Sequence, residues 1–116
     1  MRETIEEGET IEKTLSRGLK EEFGATGKLS TYVGSLTKPY QVRDITVQKT
    51  TLYFLVELID INESARMPND PEAGSIIEWL KPEDLAVKMK SSATKLGLPD
   101  MDESEVIDRV VKLGII

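Results

Sequence analysis

At 116 residues the chain has room for one small domain around a single hydrophobic core, and not for two. Its 21 acidic and 15 basic residues give a net charge of -6, which excludes a broad basic surface for nucleic acid, so a polyanionic ligand would need a cation as mediator. The absence of cysteine and histidine excludes disulfides, thiolate metal sites and imidazole chemistry, leaving carboxylates, hydroxyls, Lys, Arg, Tyr and backbone.

In chain order, "MRETIEEGET" lacks the basic-then-apolar pattern of a signal peptide. The longest apolar run, Leu52 to Ile59, is broken by Glu57 and too short to span a bilayer, so a cytoplasmic location without membrane partners is expected. A helix is predicted from Thr10, a fitting N-cap, to Phe23, with Ile11, Leu15, Leu19 and Phe23 on one stripe and Gly24 as the stop. "LSTYVGSL" (Leu29 to Leu36) reads as a strand, followed by a turn through Pro39. "TVQKTTLYFLVELIDI" reads as a long strand whose second half is apolar on both faces, which predicts a covered sheet. "NESARMPNDPEAG" is a loop, "SIIEWL" (Ser75 to Leu80) a third strand, and "KPEDLAVKMK" a helix with Pro82 in its first turn. "SSATKLGLPDMD" reads as a link to a last helix, started by a capping box of Asp102 and Glu105, with Val106, Val110 and Leu113 on its apolar face. The pattern predicts an α+β layered domain over residues 1–116.

The first helix carries the chemistry. Glu21 and Glu22 follow Arg17 and Gly18 at the three- and four-residue spacings that bring helical side chains together. Adjacent carboxylates repel unless a positive charge intervenes, and a hard divalent cation such as Mg²⁺ suits oxygen ligands of this kind. A solvated acidic face is the plain alternative.

The stretch resembles the Nudix box of the Nudix hydrolases, written G-x5-E-x7-R-E-U-x-E-E-x-G-U with U aliphatic. Glu9, Arg17, Leu19, Glu21, Glu22 and Gly24 fall on their positions in register, and "GET" (Gly8 to Thr10) looks like the family's start to the helix. "SIIEWLKPEDL" is similar to the family's tryptophan-bearing segment ahead of a helix. The resemblance implies a Nudix-like α/β/α sandwich with a mixed sheet. It implies that Glu21 and Glu22 bind Mg²⁺ or Mn²⁺ and that Glu9 holds Arg17. Glu72, in the loop before "SIIEWL", is the candidate for a further ligand or base, with Glu57 a weaker alternative. The activity implied is hydrolysis of a diphosphate bond in a nucleoside diphosphate derivative or nucleoside triphosphate, a nucleotide-type small molecule being the partner.

Three positions depart from the box. Gly18 stands where the box has a metal-binding or basic glutamate, Glu3 replaces its first glycine, and Ala25 shortens its last aliphatic. Gly18 leaves open a catalytically impaired module of the same fold that binds a nucleotide or protein partner. Family members carry strands before the box, so an N-terminally truncated sheet is expected, with its exposed edges covered in a homodimer. Lys38, Tyr40, Arg43 and Arg66 could touch phosphate, but each reads better as an ordinary surface residue.

Overall fold

The structure, a computed structural model, describes residues 1–69 and 75–116. In chain order these form α1 (Ile11–Phe23), β1 (Ala25–Val42), β2 (Ile45–Ile61), a 3₁₀ turn at Glu63–Ala65, α2 (Pro82–Leu96), a second 3₁₀ turn at Pro99–Met101 and α3 (Ser104–Lys112). The chain is α+β, as its residue pattern predicts. β1 and β2 pair as a two-stranded sheet. The turn Arg43–Asp44 joins them as an antiparallel hairpin, and Arg43 supplies the positive φ (57°) that such turns use. Hydrogen bonds of Thr37 with Thr50 (2.8 Å) and of Gln41 with Thr46 (2.7 Å) keep the register that this turn sets. By its internal contacts the chain divides into two compact units. The first comprises Met1–Thr31 and Leu55–Glu78, and the second Tyr32–Phe54 and Trp79–Ile116.

In the first unit, α1 begins and ends where local chemistry dictates. The Thr10 hydroxyl accepts a hydrogen bond from the Lys13 amide at 3.2 Å, and Gly24 closes the helix in the left-handed conformation (φ 64°, ψ 28°). Glycine is required there twice over, since a Cβ would also stand 1.9 Å from the Asn62 carbonyl oxygen. Burial falls on an unexpected face. Thr14 and Gly18 are the buried residues of α1, while Ile11, Leu15, Leu19 and Phe23 are only half-buried. Along the base of the hairpin, odd-numbered residues from Ala25 to Val33 turn inward and the even ones outward, the period-two pattern of a one-sided sheet.

The second unit is built on apolar packing between α2 and α3. Ala86 and Ala93 from α2 and Val106 and Val110 from α3 are buried. The distal hairpin is tied to α3 by Arg109 Nη1, which donates to the Val33 carbonyl at 3.1 Å, and by the Tyr53 hydroxyl, which donates to Glu103 Oε2. Gly34 (φ 105°) makes room for that arginine, whose Nη1 lies 2.1 Å from where a Cβ would stand.

Several expectations are corrected, the first being the turn through Pro39, which lies inside β1. Ser75 to Leu80 is not a strand: Ile76 is 94% exposed and Trp79 69%, and β-propensity expresses itself only where a neighbour offers a surface to pack on. The second half of β2 is not covered either, with Leu58 and Ile59 exposed, so the sheet has two strands among the described residues. The segment "SSATKL" continues α2 to Leu96, and Gly97 stops it with φ 65°. At α3 the Asp102 carboxylate accepts from the Ser104 amide (3.0 Å) instead of forming a box with Glu105, which pairs with Arg109 at 3.6 Å, and Leu113 is exposed. Among the described residues, no helix is long and apolar enough to cross a membrane.

Candidate functional site

The site is organised around the guanidinium of Arg17, in the first unit. Gly8, at φ 81°, turns the chain just ahead of α1 and lets Glu9 face back along the helix. Arg17 Nε donates to Glu9 Oε2 and Nη2 to Glu9 Oε1, both at 3.0 Å, the parallel fork that carboxylate and guanidinium geometries match. Glu9 Oε1 also accepts from the Glu6 amide at 3.0 Å and from the buried Thr14 hydroxyl at 3.2 Å. These donors favour the ionised carboxylate: the Arg17 hydrogen bond first, and the Glu6 amide next, hold the Glu9 carboxyl down at about 2. The same bond raises the pKa of Arg17. The Glu9 side chain is 17% exposed and that of Arg17 24%, so the pair is shielded more than a surface ion pair.

Arg17 has further partners. Its Nη2 donates to the Thr4 carbonyl, and its Nη1 donates to Glu3 Oε2, both at 3.0 Å. Nη1 also faces Glu21 Oε2 at 3.7 Å, one turn along the helix. Arg17 thus links the segment before α1 to the carboxylates at its end. Sequence reasoning paired Arg17 with Glu9 but gave no role to Glu3 beyond a departure from the pattern.

The last turn of α1, where Glu21 and Glu22 sit, is held by the chain that follows β2. Helix ends leave carbonyls without intrahelical donors, and here they find them outside. The Met67 amide donates to the Glu21 carbonyl (3.2 Å), Arg66 Nε to the Glu22 carbonyl (2.5 Å) and the Asn62 amide to the Gly24 carbonyl (2.8 Å). Arg66 Nη1 also donates to the Ser75 carbonyl at 2.7 Å. Arg66 is therefore a fastener of the site helix, a role that neither its spacing nor its charge announced.

A family model described as NUDIX domain matches residues 2–100. The chain belongs to the Nudix family. The matched range includes α1, the whole hairpin and α2, which extends the relationship well beyond the helix that carries the box. No match was found among curated proteins or among solved structures.

Nudix hydrolases work with divalent metal, and the donors here are of the right chemistry, carboxylate oxygen only. Glu21 and Glu22 are half-buried on the last turn of α1. Glu57, on β2, is exposed and is not among the partners of Arg17. Glu72 lies outside the described residues. Among the described residues, no group of three or more acidic side chains is arranged to hold a metal ion. Of the residues considered for phosphate, Lys38 belongs to the second unit, where its ammonium donates to the carbonyls of Pro99 and Asp102. Tyr40 and Arg43 are exposed in the same unit.

Proposed function

We propose that the chain is a Nudix-type hydrolase that cleaves a diphosphate bond in a nucleoside diphosphate derivative or nucleoside triphosphate with Mg²⁺ or Mn²⁺. The observation that best supports this is the Glu9–Arg17 fork. It ties the start of α1 to its body, and Arg17 in turn faces Glu21, so the helix that bears Glu21 and Glu22 is held rigidly. Glu21 and Glu22 would hold the ion. A hard cation needs only one or two protein carboxylates and completes its shell with water and phosphate oxygens. Bound there, it offsets charge on the phosphate oxygens and lowers the pKa of a water. Glu72 would add a ligand or take the proton of the attacking water. Glu9 and Arg17 brace the helix and touch no substrate.

A second reading is favoured by Gly18, which stands where the box has a glutamate. Under it, the chain is an impaired Nudix module that binds a nucleotide or a protein partner without turnover. In either case a cytoplasmic homodimer is our reading of the assembly: the two-stranded hairpin and the exposed Ile59 and Leu58 offer edges and apolar surface for a second copy. Sedimentation showing a folded monomer at high concentration would refute that part.

The deciding assay is phosphate release from nucleoside triphosphates and nucleotide sugars with Mg²⁺ and a coupled phosphatase. Turnover that disappears in Glu22→Gln supports the hydrolase. Metal-dependent nucleotide binding without turnover supports the impaired module. Neither turnover nor binding would overturn both.

A further inference from the structure

Two departures from the box, Glu3 and Gly18, meet in space. A Cβ added at Gly18 would stand 2.3 Å from Glu3 Cγ, 2.9 Å from Glu3 Cδ and 2.9 Å from Met1 Sδ. Those distances are shorter than any ordinary carbon contact. Gly18 sits in the body of α1 with helical backbone, so its glycine is required by space and not by conformation. Nor can Glu3 swing away without loss. Its side chain is 14% exposed, and its Oε2 accepts from Arg17 Nη1 at 3.0 Å.

We infer that Glu3 and Gly18 are one reciprocal exchange: the side chain absent from helix position 18 is replaced by Glu3, which covers that position from the preceding segment and puts a second carboxylate on Arg17. Glu3 is a positioning residue, acting through Arg17. The exchange stands whether or not the chain hydrolyses a nucleotide. Met1 Sδ ends a flexible side chain that is 48% exposed and can turn aside, so a side chain at 18 is harmful while Glu3 is present and harmless once Glu3 is trimmed.

The test is thermal unfolding of the full chain carrying Gly18→Ala, Glu3→Gly and the two together, with Glu3→Gln as a control. Alanine is the better helix former, yet Gly18→Ala is expected to lower the unfolding midpoint by about 5 °C in the natural background. In the Glu3→Gly background the same substitution should raise it. A rise of equal size in both backgrounds would overturn the exchange, because Glu3 would then be a side chain that simply moves aside. If Gly18→Ala alone does not fold but the double variant does, the sign reversal is present in its extreme form. If Glu3→Gly does not fold, the Glu3→Gln background decides: the volume of residue 3 is kept there, so Gly18→Ala must still be harmful, and a gain would refute the steric argument. The positioning role has its own readout in Glu3→Gln. Loss of a charge-assisted bond should speed hydrogen exchange of the Arg17 guanidinium protons about tenfold by NMR. Unchanged exchange would refute that role.

Discussion

The two units of this chain are held together by different physics. In the first, α1 buries Thr14 and Gly18 and gathers Glu3, Glu9, Thr4 and Glu21 around one guanidinium, while its apolar stripe stays half-buried. In the second, Ala86, Ala93, Val106 and Val110 form a small apolar interface, and charges such as Lys90 and Asp108 remain in solvent. A polar network fixes direction, because hydrogen bonds have geometry, whereas apolar burial fixes proximity and tolerates sliding. In the unit that presents Glu21 and Glu22 the helix itself is gripped by directional contacts, whereas in the second such contacts tie the hairpin to α3 and the α2–α3 packing is apolar. An enzyme needs such rigidity at its site and has less use for it elsewhere.

The largest expected effect sharpens that contrast by separating chemistry from support. Glu21→Gln and Glu22→Gln should each lower turnover about a hundredfold or more, since metal-assisted stabilisation of the transition state supplies several kcal/mol. Circular dichroism should show the helix content unchanged. If turnover persists in both, the site lies elsewhere and the rigidity of the first unit has another purpose.

Next comes the brace. Glu9→Gln keeps the shape of residue 9 but removes the charge that four donors address, and it should lower both the unfolding midpoint and turnover. Acid gives the same result without mutation. The Glu9 pKa is depressed in the folded chain, from 4.5 to about 2, so its contribution is complete above about pH 4.5 and is lost as pH falls toward about 2. In Glu9→Gln that portion of the acid dependence should vanish from the stability profile. Identical profiles for both proteins would show that the fork adds nothing to folding.

The same contrast explains what could be read from the sequence. Thr10 and Gly24 signal their helix ends locally, and Glu9 to Gly24 lie in one short register, so α1 and its fork were legible. Glu3 and Arg66 were not. Their partners are remote: Glu3 meets the side of α1 at Arg17, and Arg66 meets the Glu22 carbonyl from beyond both strands. Ser75 to Leu80 has strand composition but pairs with no strand among the described residues. The continuation of α2 did leave a trace, since Ala86 and Ala93 stand seven residues apart on one face, but "SSATK" hid it behind polar residues.

A cavity in the second unit should cost an intermediate amount. Val110, 4% exposed, belongs to the α2–α3 interface, and Val110→Ala should destabilise by about 2 kcal/mol in chemical denaturation. If stability is a joint property of the whole chain, turnover measured well below the unfolding midpoint should still be unaffected. A loss of activity matching that of Glu9→Gln would break the contrast between the units.

The smallest effect tests the claim that charge does little in the second unit. Lys90 and Asp108 join α2 to α3 at 3.7 Å, but their side chains are 60% and 58% exposed. Water screens such a pair and the two flexible side chains lose rotamer freedom when they meet, so exposed pairs contribute about 0–1 kcal/mol. Asp108→Asn should therefore shift stability by less than about 0.5 kcal/mol, with little difference between low and high salt. A larger, salt-sensitive loss would mean that the helices of the second unit are oriented by charge. The α2–α3 interface would then be oriented as α1 is, and the polar network around Arg17 would lose its standing as a mark of the candidate site.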